Sequence, residues 1–280
     1  MNVLIAGTGI LGQNLIRLYL DRGDRVRALA RLQEEFNGLD HLHLETITCD
    51  VTRPETLNGV CDGMDLVISC IGITRIKAKT SHMDVDFHGN VNLLREAEKA
   101  GVQKFGFISP EGVDRGCKEV PLLEAKYRFE ETLRKSSASW LIFRAGGFFS
   151  DLLEMGKTAQ YGSMFVIGSG QNYFTPVDVR DLAEVMVSEM NKQSNNIISV
   201  GGPDDMSWNK ICQACFEFYG RKPRIISIPK WLCECVLSLL KPFSKSQYSM
   251  GKLMVFMSTA DIPSEKRGHR HFADYLKESF

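Results

Sequence analysis

Neither sign of charge is in excess in this 280-residue chain, where 34 Lys and Arg residues face 34 Asp and Glu residues. A balanced chain makes no global field, so no nucleic acid or acidic membrane surface is expected as a partner, and a small neutral molecule is the natural one. Apolar runs approaching the ~20 residues that span a bilayer are missing, so no transmembrane segment is expected. No secretory leader precedes the first apolar run at Val3, and the expected compartment is the cytoplasm. Internal repeats, low-complexity stretches and clear linkers are also missing. The chain is therefore one large domain or a nucleotide domain with a smaller lobe, long enough to bury a substantial core.

The eight cysteines lack the company that would make them a site. In a reducing compartment they are expected as thiols, and Cys70, Cys212, Cys215 and Cys233 lie in apolar patterns, where cysteine behaves as a small hydrophobe. Cys212 and Cys215 form a CxxC, with Cys233 and Cys235 downstream. No knuckle glycine or histidine accompanies either pair, and both fall in helical patterns, WNKICQACFEFYG and KWLCECVLSLL, so no metal is expected.

What is present is concentrated at the start. Val3 to Ala6 form a short apolar run suited to a strand buried on both faces. Gly7, Gly9 and Gly12 then stand at GxGxxG spacing, with Thr8, Ile10 and Leu11 between them. The first glycine permits the tight turn, the second lets the backbone approach a pyrophosphate, and the third lets helix pack on strand. Leu11, Leu15, Ile16, Leu18 and Tyr19 recur at near-helical spacing, Gly23 closes the helix, and Arg25 to Ala30 reads as a second strand. The phosphates of a dinucleotide would sit on the helix N-terminus, where free N–H groups and the helix dipole favour an anion. The expected fold is α/β, a Rossmann-type doubly wound parallel sheet with helices on both faces. Residues 1–150 form the dinucleotide-binding part, and 151–280 a smaller substrate lobe interleaved with the sheet.

An acid at the end of the second strand is another absence. Such a side chain would bind a ribose 2′-hydroxyl and repel a 2′-phosphate, whereas this chain has Ala30 followed by Arg31. NADP(H) is accordingly preferred over NAD(H), the alternative being that Arg31 is only a solvated charge.

Leu42 to Thr48 reads as a third strand running into Cys49, Asp50 and Val51. Asp50 is placed to accept from the adenine amino group with Val51 on the ring, or else only to cap a helix starting near Arg53-Pro54. Leu66 to Ile71 is a fourth strand that brings Cys70, Ile71 and Gly72 to the nicotinamide-side ribose. A helix from about His82 to Ala100 carries a stripe of Val85, Val91, Leu94 and Ala97. Lys104 to Ser109 is a strand delivering Ser109 at its carboxyl end, where open α/β sheets bind ligands. Glu119 to Ser136 reads as a helix and SASWLIFRAGG as a sixth strand.

From Leu152 on, the chain is expected to return to the sheet and to build a lid over the strand ends. Phe148, Phe149 and Tyr161 are candidates to line a cleft for an aromatic or lipophilic ligand, most of the neighbouring aromatics being core. Thr175 to Val177 reads as a short strand, with Asp178 or Asp181 capping a helix over Leu182 to Met190. Trp208 to Tyr219 reads as a helix closed by Gly220, and Ile225 to Ile228 as a strand stopped by Pro229. Trp231 to Leu240 is too short to span a membrane, and packs as a helix or lies against a membrane or partner. The sequence sets no oligomeric state.

Taken together, the glycine-rich turn, the IS at the fifth strand end, KYRFE at 126–130, LIFRAGGFF, FTPVDVRDLAEVM and VGGPDDMSWNKI resemble the atypical, extended short-chain dehydrogenase/reductase superfamily. The closest resemblance is to its NmrA-like and isoflavone-reductase-like NAD(P)-binding proteins. It covers nearly the whole chain, with the last 40 residues thinly matched. It implies that Lys126 binds the nicotinamide ribose hydroxyls and that Ser109 hydrogen-bonds substrate or an active-site water. The superfamily pattern has a tyrosine proton donor four residues before the lysine, and this chain has Leu122. Tyr127 is no replacement, since one residue along a helix turns a side chain by about 100°. The pattern also has glycine where Ala6 stands, and proline after Arg144 where Ala145 stands. Three functions follow from the resemblance: an NADPH-dependent reductase of a small apolar or aromatic substrate, a non-catalytic NADP(H) sensor of the NmrA type, and, more weakly, a nucleotide-sugar epimerase or dehydratase.

Overall fold

The computed structural model describes residues 1–73, 80–192 and 194–279. The chain opens with β1 (Asn2–Ala6), α1 (Ile10–Asp21) and β2 (Arg25–Ala30), followed by β3 (Leu44–Thr48) and β4 (Leu66–Ser69). Next come α2 (Asn90–Lys99), β5 (Lys104–Pro110), the single turn α3 (Val113–Gly116), α4 (Pro121–Leu133) and β6 (Ser139–Ala145). Then follow α5 (Phe149–Gly156), β7 (Met164–Ile167), β8 (Tyr173–Phe174), α6 (Val179–Met190), β9 (Asn196–Val200) and β10 (Met206–Ser207). The last elements are α7 (Trp208–Phe218), β11 (Ile225–Ile228), α8 (Lys230–Leu240), α9 (Lys245–Thr259) and α10 (Phe272–Glu278).

Seven strands make one parallel central sheet in the order β3-β2-β1-β4-β5-β6-β9. Strand order reverses at β1, which pairs with β2 on one side and β4 on the other. In open α/β sheets ligands bind beyond the carboxyl ends of strands at such a reversal, here the ends at Ala6 and Ser69. Val3 to Ala6 and Leu66 to Ser69 are buried throughout, as a strand covered on both faces requires.

Packing divides the chain into two compact units. The first comprises Met1–Ser109, Glu124–Phe143 and Ala183–Ile198, and the second Pro110–Leu123, Arg144–Leu182 and Ser199–Phe280, so segments cross residue 150 in both directions. In the first unit Leu4, Val67, Leu93, Leu94, Phe105, Phe107 and Phe129 form the centre of the core. Phe107 meets Phe129 edge to face at 4.6 Å between ring centroids. The second unit closes its own core around Phe149, Phe174, Trp208, Phe216 and Phe272, and carries two small sheets, β7 with β11 and β8 with β10.

Several expected elements differ in the structure, the fourth strand stopping at Ser69 rather than Ile71 and the helix expected from Leu182 starting at Val179. The strand expected at Thr175 to Val177 lies instead at Tyr173–Phe174, and Val177 makes only an isolated bridge to Phe148. Pro176 has no N–H to give a ladder, so pairing cannot run on through it. The helix expected near Arg53 is one 3₁₀ turn, Pro54–Leu57. The helix expected from His82 has wide π turns over Met83–Gly89 before α2 begins, which moves its buried face onto Asp86, Asn90, Leu93, Leu94 and Ala97. Val85 and Val91, read as part of the stripe, are only partly buried. The expected helix over Glu119 to Ser136 is trimmed at both ends to α4. Asp178, rather than Asp181, caps α6, its carboxylate accepting from the Arg180 amide at 2.8 Å.

Candidate functional site

The glycine turn has the geometry of a cradle. Gly7 leaves β1 at φ +101°, a conformation that L side chains rarely adopt, and its amide still donates to Leu29 O at 2.9 Å, prolonging the β1–β2 ladder. A Cβ on Gly12 would fall 1.9 Å from Gly7 O, so only glycine lets α1 press onto the turn. A Cβ on Gly9 would meet nothing within 4 Å. Gly9 also serves as the N-cap of α1, with no side-chain cap and no acid in the first turn. The helix thus opens on uncapped amides beside empty space, which fits a pyrophosphate held by main-chain N–H groups. Ala6, where the superfamily pattern has glycine, is simply the last buried residue of β1. Ile10 is exposed, Leu11 is buried on the sheet side, and Thr8 donates to Glu35 Oε2 at 3.3 Å. Glu35, an acid next to the turn that sequence did not single out, sits in the 3₁₀ turn Gln33–Phe36.

Arg31 is exposed just past the end of β2. Asp50 lies near enough to feel its charge. Burial pushes the Asp50 carboxyl up, but hydrogen bonds from the Thr52 hydroxyl and amide, with Arg53 and Arg31 nearby, outweigh it and leave the pKa lowered. Its Oδ1 accepts from the Thr52 amide at 3.0 Å and hydroxyl at 2.7 Å, so Asp50 shapes its own turn. Val51 packs on the core of the first unit and its carbonyl accepts from Asn92 Nδ2 at 3.0 Å.

Beyond β4 the chain runs along the same turn. The Cys70 amide donates to Ala6 O at 2.8 Å, and a Cβ on Gly7 would come within 3.1 Å of the Cys70 backbone. Burial pushes the Cys70 thiol up to about 12, against a smaller opposing pull from Lys126. Burial likewise raises Cys49 to about 11, Cys61 to about 12, Cys212 to about 11 and Cys215 to about 12. These five should resist a thiol-titrating reagent at pH 8 in the folded protein while exposed Cys235 reacts at once. Counting thiols before and after denaturation tests this, and prompt modification of Cys70 would contradict it.

Lys126 ends a short buried chain of polar groups. Its Nζ lies 3.4 Å from both Ile71 O and Ile108 O, and 3.5 Å from Asp86 Oδ1. Asp86 is fully buried; its Oδ2 lies 3.0 Å from His82 Nδ1 and accepts from the Ile73 amide at 3.4 Å. Gly72 passes so close that a Cβ there would be 2.8 Å from Asp86 Oδ1 and 3.2 Å from Lys126 Nζ. The backbone beyond Asp86 is braced as well. Asn90 Nδ2 donates to Asp86 O at 2.9 Å, and Asn90 Oδ1 accepts from the Ser69 hydroxyl at the end of β4. The strand period of two explains the rest, since Phe105, Phe107 and Ser109 share one face of β5. Lys126 Nζ sits 4.9 Å from the centroid of the Phe107 ring, and Ser109 follows one pleat on. Among the described residues the buried Ser109 hydroxyl has no hydrogen-bond partner. A buried hydroxyl left unpaired costs roughly 1–3 kcal/mol, an expense that a ligand acceptor would remove.

The structure therefore brings Gly7, Cys70, Ile71, Gly72 and Lys126 together and puts Ser109 on the strand beside them. It adds His82 and Asp86, which sequence reasoning missed. The available signal was the spacing Asp86, Asn90, Leu93, Leu94, Ala97, a helical face with its first two places polar. In the second unit Phe149 is buried, 5.3 Å from Phe272 and 5.5 Å from Tyr275 between ring centroids, and so serves as core. Tyr161, by contrast, is 81% exposed and Phe148 half-buried.

The sequence profile of the NAD(P)H-binding family matches residues 6–193. The chain belongs to that family. Among curated family relatives, it is similar to the photosystem II assembly factor Ycf39 of Trieres chinensis, 26% identical over 88% of this chain and 77% of that one. It is similar also to the chloroplastic divinyl chlorophyllide a 8-vinyl-reductase of Arabidopsis thaliana, 28% identical over 91% of this chain and 66% of that one. In fold it matches an NADPH-dependent quinone oxidoreductase of Escherichia coli solved with NADPH, at TM-score 0.76 and 14% identity over 99% of each chain. The resemblance to atypical short-chain dehydrogenases/reductases holds, and the cofactor class is a nicotinamide dinucleotide. Among the described residues no helix is long and apolar enough to cross a membrane.

Proposed function

We propose that the protein is an NADPH-dependent reductase of a small apolar or aromatic substrate. The observation that carries this reading is the buried His82–Asp86–Lys126 line, held against Gly72 at the strand-order reversal with the unpaired Ser109 hydroxyl beside it. Burying three ionisable groups is costly unless they serve one another or a ligand. When bound, NADPH supplies a hydride. The uncapped amides of α1 hold the pyrophosphate, Gly9 leaves room for it, and Arg31 meets the 2′-phosphate. Lys126 binds the nicotinamide ribose hydroxyls and donates the proton that the hydride acceptor needs, in the place left by the missing tyrosine. Asp86, 3.5 Å away, keeps that ammonium aimed, and Ser109 donates its free hydroxyl to the substrate acceptor. The relatives named as reductases support this reading, and the eight unbridged cysteines suit a reducing compartment such as the cytoplasm.

Cofactor choice tests the binding half. NADPH should bind about tenfold or more tightly than NADH, and Arg31→Ala should erase most of that difference by removing a charged contact to the 2′-phosphate. Equal affinities in the unmodified protein, by calorimetry, would overturn it. A non-catalytic NADP(H) sensor is favoured by one observation, the buried Leu122 where the superfamily pattern has its proton donor. Tight NADPH binding with no oxidation by any quinone, azo or enone acceptor would select that second reading.

A further inference from the structure

The helix α8 shows water an apolar face. Trp231, Leu232, Val236 and Leu239 are 66, 41, 47 and 73% exposed, and Phe243, just past the helix, 87%. At about 100° per residue the four on the helix fall within an arc of roughly 140°, opposite buried Leu237. The inner face is already taken by α9. A Cβ on Gly251 would be 2.2 Å from Leu237, and Lys252 pairs with Glu234 at 3.1 Å across the hairpin. The outer arc is thus left over after the hairpin has packed, and a contiguous exposed apolar patch of this kind marks an interaction surface.

Charge identifies what the arc meets. Residues 221–252 hold seven basic side chains, Arg221, Lys222, Arg224, Lys230, Lys241, Lys245 and Lys252, against the single acid Glu234, a local charge of +6 in a chain whose total is zero. The overall balance conceals this patch. All but Lys252 are exposed, and Glu234 is spent on Lys252. Two copies meeting face to face through this surface would set like charges together, which disfavours a symmetric dimer. We propose that α8 docks on an anionic lipid surface. Trp231, Leu239 and Phe243 enter the headgroup layer, and Lys230, Lys241 and Lys245, at the two ends of α8 and the start of α9, reach lipid phosphates from the polar side without any spanning segment.

Vesicle co-sedimentation of the full chain is the test. Vesicles of phosphatidylcholine with phosphatidylglycerol should retain at least about tenfold more protein than phosphatidylcholine alone, and high salt should release it. Trp231 fluorescence should shift to the blue on binding. The triple variants Trp231→Ser/Leu239→Ser/Phe243→Ser and Lys230→Glu/Lys241→Glu/Lys245→Glu should each cut retention about tenfold at an unchanged melting temperature. The proposal fails if the unmodified chain stays in solution with both vesicle types, or if the serine variant sediments as the parent does. It fails equally if light scattering shows a dimer that Phe243→Ser dissociates, since the arc would then belong to a second copy.

Discussion

Gly9→Ala is expected to leave the melting temperature where it was and to cost about a hundredfold or more in NADPH affinity. The first half follows because a Cβ at Gly9 touches nothing within 4 Å and its φ of −64° is ordinary for alanine. The second follows from the proposed function, in which that empty space takes the pyrophosphate against the backbone. Losing two charge-assisted hydrogen bonds at roughly 1.5–3 kcal/mol each amounts to two or more decades of affinity. Gly12→Ala should behave differently. Its Cβ would lie 1.9 Å from Gly7 O and 2.9 Å from Gly7 C, both backbone atoms that cannot swing aside, so α1 must shift off the turn. Overpacking of this kind costs roughly 1–3 kcal/mol of stability, and the shift misaligns the same amides, so Tm and affinity fall together. Calorimetric titration and thermal melting of the two variants separate room for a ligand from helix packing. Undiminished NADPH affinity in Gly9→Ala would mean that the phosphates bind elsewhere.

The same contrast shows how far the sequence could be read. Gly7 and Gly12 were legible because each stands where two stretches of backbone nearly touch, and only one residue type fits. Buried strands were legible for a related reason, an unbroken apolar run having nowhere else to go. Asp86 was harder to read. Asp84, two residues earlier in the same run, is exposed and hydrogen-bonds Ser81, and local composition does not distinguish the two acids. What separates them is place on the helix, Asp86 sharing the buried face of Asn90, Leu93 and Leu94 and Asp84 lying off it. Phe149 and Tyr161 show the converse limit. Apolar character alone does not tell a core aromatic from an exposed one, and the partners that bury Phe149, Phe272 and Tyr275, lie more than a hundred residues away. Arg31 and Asp50 are intermediate, their places at strand ends being readable but not the Thr52 hydrogen bonds that occupy the Asp50 carboxylate.

Lys126 and Asp86 supply the other large effect, best measured as a pair. Lys126→Met should lower NADPH-dependent turnover by about a hundredfold or more, the usual scale for a positioned proton donor. It leaves the Asp86 carboxylate buried with His82 and the Ile73 amide as its contacts. Asp86→Asn leaves a buried ammonium facing the carbonyls of Ile71 and Ile108, each at 3.4 Å, and the Phe107 ring. Either single change strands a charge, for which the cost is about 3–5 kcal/mol. The double variant removes both charges at nearly constant volume, so its stability should recover well above the sum of the single losses. Its turnover should not recover, because the assigned proton donor is gone. Denaturant unfolding of the four proteins gives the coupling, and single-turnover oxidation of bound NADPH gives the chemistry. A merely structural ion pair would restore both together. Full turnover in Lys126→Met would remove the assigned proton donor, whereas a large stability coupling with no turnover even in the unmodified protein would mark the pair as a device for ordering a bound but unreacting cofactor.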